Sequence, residues 1–352
     1  MERMEFSKIG HTLQIAGTRH YTLAGGAGDG VRAIDVKTGG GLEYTVLPDR
    51  GLDISLASFR GVNLTYLSLQ GEIHPAFYSC EREEWLRTFF GGLLTTCGPA
   101  SFGPPCEDGG TVLGLHGRHN VTPAVYVCDD TDLEKGEIRI SGRIEQSVMF
   151  GEKLSIKRTI RSAVMENVVR IRDEIKNCGG SPTPYTLLYH INFGYPLLDT
   201  CAQSFVNSTD VSGCDEYSAA DIANLQVFSE PDAHNREKNY THTFERISKG
   251  CAGIYNEKLG CGVSIRFPVD KLPFLTQWKM EGVRDYVLAL EPGNAPCESR
   301  KKLREKGNLP FLRTGESTVN EIEIEIITKQ EREENGNTYD KKQGKPDGTN
   351  RA

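Results

Sequence analysis

The chain has 352 residues, 38% of them hydrophobic and 25% charged, an ordinary composition for a folded globular protein. Lys and Arg number 41 against 48 Asp and Glu, a net charge of −7, so nothing draws the chain to a phosphate backbone and no nucleic-acid partner is expected. No apolar run approaches the roughly 20 residues that span a bilayer, so no membrane partner is expected either.

The opening residues, MERMEFSKIGHTLQ, show no positive segment followed by an apolar run. With 10 cysteines and no such export signal, the expectation is a cytoplasmic protein with reduced, mostly buried thiols. No C-x-x-C occurs, which argues against a thiolate zinc site. Sequons at Asn63, Asn120, Asn207 and Asn239 carry little meaning without export.

Along the chain, the glycines of GGAGDG at 25–30 do not match the G-x-G-x-x-G spacing of a dinucleotide site, and no parallel βαβ pattern follows. LPDRGLDI at 47–54 sets Asp49 and Arg50 between Pro48 and Gly51. It reads either as a surface turn with a local ion pair or as a segment aiming the Arg50 fork into a cleft. CEREEWLRTFF at 80–90 predicts a helix with Trp85 and Phe89 on one face, and GGLLTTCGP predicts a turn followed by a buried strand. GLHGR at 114–118 places His116 between glycines that permit close backbone approach, with Arg118 just beyond.

Strand-like alternation then dominates. EIRISG (137–142), LSIKRTI (154–160), VVRIRDEI (168–175) and EIEIEII (321–327) each fit a sheet with one buried and one wet face. LLYHINFGYPLL at 187–198 embeds His190 in apolar surroundings, and Asn192 falls on the same side of a strand. Such a histidine is either satisfied in the core or faces a cavity. A second helix is predicted near 217–225. In YVLALEPGN (286–294), Glu291 ends a buried strand, a placement that raises a carboxyl pKa toward the range of a general base. Just upstream, QWK offers Gln277 and Trp278, the indole being either core or a stacking wall for a sugar. P-loop, H-E-x-x-H and G-x-S-x-G patterns are absent.

Many short strands with glycine punctuation predict an all-β fold, a sandwich or barrel formed by one continuous domain over 1–329. Residues 330–352, polar and almost free of aliphatic side chains, are expected to form a disordered tail.

Taken together, LPDRGLDI, TCG, LHGR and LEPGN, in that order and spacing, resemble the aldose-1-epimerase (galactose-mutarotase-like) superfamily, in particular its less characterised DUF4432-like branch. The likeness runs from about residue 40 to about 328. It implies a large antiparallel β-sandwich with a cleft on a concave sheet. It implies that His116 hydrogen-bonds a sugar near its ring oxygen, that His190 is the general acid, and that Glu291 is the general base. Arg50, Arg118, Asn192, Gln277 and Trp278 would bind the substrate, with no metal and no cofactor, in a monomer or homodimer. The pattern departs from the galactose enzymes after each catalytic position, with Ile191, Asn192 and Phe193 after the histidine and Pro292 and Gly293 after the glutamate. A sugar other than galactose follows, and paired arginines would admit a charged one. Two other classes fit the same scaffold: a non-catalytic carbohydrate-binding protein, and an epimerase or isomerase acting at another carbon of a sugar acid or ketose. A cupin-type metal site is disfavoured, because His116 and His119 are three apart, a poor strand spacing for shared ligation.

Overall fold

The computed structural model describes residues 6–329. The predicted tail, 330–352, lies outside the described residues. Two antiparallel sheets make the body. The larger has eight strands in the order Ala202–Val206, Lys249–Asn256, Cys261–Pro268, Ser317–Thr328, Val168–Asn177, Lys153–Ala163, Glu137–Ser147 and Val125–Asp129. The second has six, in the order Asp210–Gly213, Lys238–Thr243, Phe274–Glu281, Tyr286–Gly293, Leu188–Phe193 and Thr95–Cys97. A five-stranded meander, Gly17–Asn63, adjoins the second sheet through a bridge between Ile54 and Leu94.

Each of the four alternating segments forms the expected strand, and all four lie side by side in the larger sheet. The inward residues Ile140, Ile156, Ile171 and Ile324 are at most 2% exposed and share one core with Tyr189, Ile191, Phe193, Leu288 and Leu290 from the smaller sheet. The outward residues form a ladder of alternating sign, Arg170 with Glu323 and Glu166, Arg172 with Glu321, and Arg266 with Glu323 and Glu325. This is the period-two consequence of burying one face only.

The predicted helix at 80–90 does not form. The segment makes a single 3-10 turn, Glu84–Arg87, and Trp85 instead stacks on Phe89 at 4.6 Å between centroids. A run this short cannot hold itself as a helix, so its aromatic contacts decide its shape. The second predicted helix is a short one, Glu216–Ala220, capped by Asp215 and followed by a 3-10 turn at Ile222–Asn224. All ten cysteines are free. They are not mostly buried, however, since only Cys97 and Cys261 are and four are exposed. Among the described residues no helix is long and apolar enough to cross a membrane.

Candidate active site

The smaller sheet has two differently used faces. Odd residues of Leu188–Phe193 point into the sandwich, while His190 and Asn192 point away from it. The register pairs Leu188 with Gly293 and Ile191 with Leu290, which sets His190 opposite Glu291. On either side His190 pairs with Thr95, and Glu291 with Thr276. One cross-strand row therefore carries Thr95, His190, Glu291, Thr276, Thr241 and Ser212. Nε2 of His190 lies 3.2 Å from Oε1 of Glu291.

His116 arrives from a loop. Its backbone is left-handed, with φ +57°, and a Cβ on Gly117 would collide with the Ser101 carbonyl. Such conformations are costly for a residue other than glycine and cluster at functional sites. Backbone bonds hold the loop in place: His116 donates from its N–H to the Gly103 carbonyl and accepts at its own carbonyl from Gly98 N. Its ring then lies 5.9 Å from that of His190, nearly perpendicular to it. Aromatic rings wall the pair, with Trp85 at 4.8 Å from His116, and Phe89 at 5.2 Å and Trp278 at 5.5 Å from His190.

This apolar setting dominates the electrostatics. Burial pushes the Glu291 carboxyl well above the ordinary carboxylate range, and the charge of Glu237 adds to it. Burial holds His190 well below its ordinary value, assisted by His116, and holds His116 down at about 4. Nδ1 of His116 and Nδ1 of His190 are buried without a hydrogen-bond partner. His190 is 5% exposed and Glu291 2%, while His116 and Trp278 are half-buried and Glu237 is exposed.

The structure brings His116, His190, Glu291 and Trp278 together and sends other candidates elsewhere. Arg50 is fully buried and gives Nε, Nη1 and Nη2 to the carbonyls of Asn120, Ile73 and Thr88, over the ring of Phe90. Its fork ties loops together and does not face a cleft, and the neighbouring Asp49 pairs with Arg32 across the sheet. Gln277 is likewise set apart: it shares a row with Leu290, facing into the sandwich, and bonds the Leu225 carbonyl and His242. The alternation that points Trp278 at the site necessarily points Gln277 away. Asn192 shares the face of His190 but is fully buried, its Nδ2 donating to the carbonyls of Gly92 and His190. Arg118 is exposed, 5.6 Å from the ring of Tyr78. Among the described residues no group of three or more His, Cys, Asp or Glu could hold a metal.

Sequence reasoning missed Glu237, which accepts from Nε1 of Trp278 at 2.9 Å, and it did not assign the Trp85–Phe89 wall to the site. A polar residue in a long loop carries no periodic signal, so Glu237 was not legible. A groove of about 500 Å³ lies elsewhere, over the outer Arg–Glu ladder, lined by more basic than acidic side chains.

A two-sheet antiparallel sandwich of this kind is the fold of solved galactose mutarotase-like proteins. The chain itself belongs to the DUF4432 family, a domain of unknown function, whose profile matches residues 28–326. Solved structures agree on the fold. A candidate aldose 1-epimerase from Klebsiella pneumoniae superposes with a TM-score of 0.87 at 23% identity, over 94% of this chain and 92% of that one. A galactose mutarotase-like protein from Clostridium acetobutylicum gives a TM-score of 0.64 at 13% identity, covering 90% and 99%. A galactose 1-epimerase from Lactobacillus acidophilus gives 0.60 at 14%, covering 89% and 99%. A search of curated proteins finds no match.

Proposed function

We propose that the chain is a sugar epimerase acting at the anomeric carbon, with Glu291, His190 and His116 as its catalytic residues. The observation that carries this reading is the 3.2 Å contact between Nε2 of His190 and Oε1 of Glu291, beside the ring of His116 and walled by aromatic rings. Mutarotation removes a proton from the anomeric hydroxyl and gives one to the ring oxygen. The ring opens to an aldehyde, the adjoining bond rotates, and reclosure yields the other anomer. The Glu291 carboxylate takes the hydroxyl proton, protonated His190 gives its proton to the ring oxygen, and His116 stabilises charge developing there.

The pair carries one proton. Burial favours the uncharged form of each group, which sets that proton on Glu291 beside a neutral His190. The ionic arrangement the reaction uses differs from this only by moving that proton across the contact, so the two groups titrate as a unit. Trp278 would stack on the apolar face of a sugar, with Glu237 bonded to its indole. Because Arg50 is committed to backbone carbonyls, the support for a doubly anionic sugar falls away and a neutral monosaccharide is favoured. The chemistry as written calls on no metal or organic cofactor.

Polarimetry on a panel of freshly dissolved monosaccharides tests the reading. The wild type should speed relaxation of at least one sugar. Glu291→Gln and His190→Asn should each lose on the order of 10² to 10⁴ in rate while still folding. Unaltered relaxation across the panel, or full rates in both variants, would overturn it.

A further inference from the structure

Behind the row that carries His190, on the opposite side of the same strands, lies a group of charges enclosed in the sandwich. Arg158, Asp53 and Asp173 are each fully buried. Every N–H of the Arg158 guanidinium has an acceptor. Nε and Nη2 bond Asp173 at 2.8 and 2.6 Å, Nη1 bonds Asp53 at 2.6 Å and the Gly51 carbonyl at 3.2 Å, and Nη2 also reaches Thr96 Oγ1 at 2.9 Å.

The partners lead back to the two histidines by separate routes. Tyr189, adjacent to His190, donates its hydroxyl to Asp173 at 2.9 Å. Thr96 pairs across the sheet with Tyr189 and gives both its N–H and its hydroxyl to Asp53, at 2.8 and 2.7 Å. Its neighbour Thr95 pairs with His190. On the other route, His119 Nε2 donates to the Gly51 carbonyl at 3.1 Å. The backbone N–H groups of Arg118 and His119 share the Gly98 carbonyl, and Gly98 N holds the His116 carbonyl.

We propose that Arg158 is a positioning residue for both histidines, holding the His190 strand through Asp173–Tyr189 and Asp53–Thr96, and the His116 loop through Gly51–His119. Hydrocarbon contacts are non-directional and tolerate small slides, whereas charge-assisted hydrogen bonds define one geometry. A slip of one residue in the Leu188–Phe193 strand would turn His190 into the core, so register matters here more than elsewhere in the sheet. A buried ion cluster is a poor source of stability compared with apolar packing, which leaves specification of geometry as its physical advantage.

The inference rests on the anomeric reading only for its effect on rate; the placement of the imidazoles is measurable without any substrate. Long-range ¹H–¹⁵N spectra of the unliganded full chain, titrated with pH, report the tautomer and pKa of His190 and His116. Tyr189→Phe and Thr96→Val should move or broaden the His190 signals and raise its pKa toward the ordinary value, and Thr96→Ser should restore them. Ile175→Val, a core substitution in the same sandwich, should leave them as in the wild type. If a sugar from the panel is turned over, the first two variants should lose on the order of tenfold or more in kcat with little change in KM. Wild-type imidazole signals in both variants, or equal changes with Ile175→Val, would overturn the proposal. A wild type inactive on every sugar would defeat the anomeric reading alone, because the imidazole signals still decide this one.

Discussion

His116 sits in a left-handed backbone conformation that asparagine also tolerates. His116→Asn should therefore keep the melting temperature close to wild type while lowering sugar turnover, which separates the imidazole from the fold. Glu237 acts on Glu291 through charge. The one-proton state of the pair is lost on the acid side when neutral His190 protonates, and on the alkaline side when Glu291 ionises. Rate against pH should be bell-shaped. Glu237→Gln removes a charge that raises the Glu291 pKa, so the alkaline limb should move to lower pH, and an unmoved limb would contradict the coupling. Arg50→Met leaves three buried carbonyls unsatisfied and should cost about 3 kcal/mol in chemical denaturation. At this scale Glu291 and His190 were legible because a polar group inside an apolar strand is an anomaly. Arg50 and Gln277 misled because a motif does not say which way a side chain points.

Elements owe their shapes to different causes. The long strands follow from alternation alone, and the outer ladder of Arg and Glu is the solvent face of the same pattern. The Glu84–Arg87 turn does not follow from local preference: its Glu- and Arg-rich composition favours helix, but Trp85 Nε1 bonds Asn120 and Phe89 packs against His190. The helix Arg300–Glu305 is too short to be stable alone and is tied to the hairpin Cys106–Leu113 by Asp108, which pairs with both Arg300 and Arg304. Side-chain bonds from Arg304, with Arg300 beside it, hold the Asp108 carboxyl below the ordinary range despite its burial. A depressed folded-state value means that this stabilisation is present above the unfolded pKa and fades as pH falls through the folded one. Asp108→Asn should cost about 3 kcal/mol near neutrality and progressively less in acid, as read from urea midpoints at several pH values.

For the whole molecule, the strand Ser317–Thr328 is decisive, since it pairs with Val168–Asn177 on one side and Cys261–Pro268 on the other and so joins the two halves of the larger sheet. Ile322, 2% exposed at its middle, faces the core. Ile322→Ala should destabilise the protein by about 2–5 kcal/mol and lower the melting temperature by several degrees, with the spectroscopic signature of the folded state otherwise retained. That the chain is all-β, where its long strands run, and that His190 and Glu291 are unusual were determined by the sequence alone, because alternation and buried polarity are local properties of neighbouring residues. Tertiary structure alone decided that His116, His190 and Glu291 come together, that Arg50 is a tie between loops, and that Glu237 bonds Trp278 beside them. Those facts depend on register and on loop closure between residues far apart in the chain, and no local pattern encodes the geometry of a contact made across the sheet.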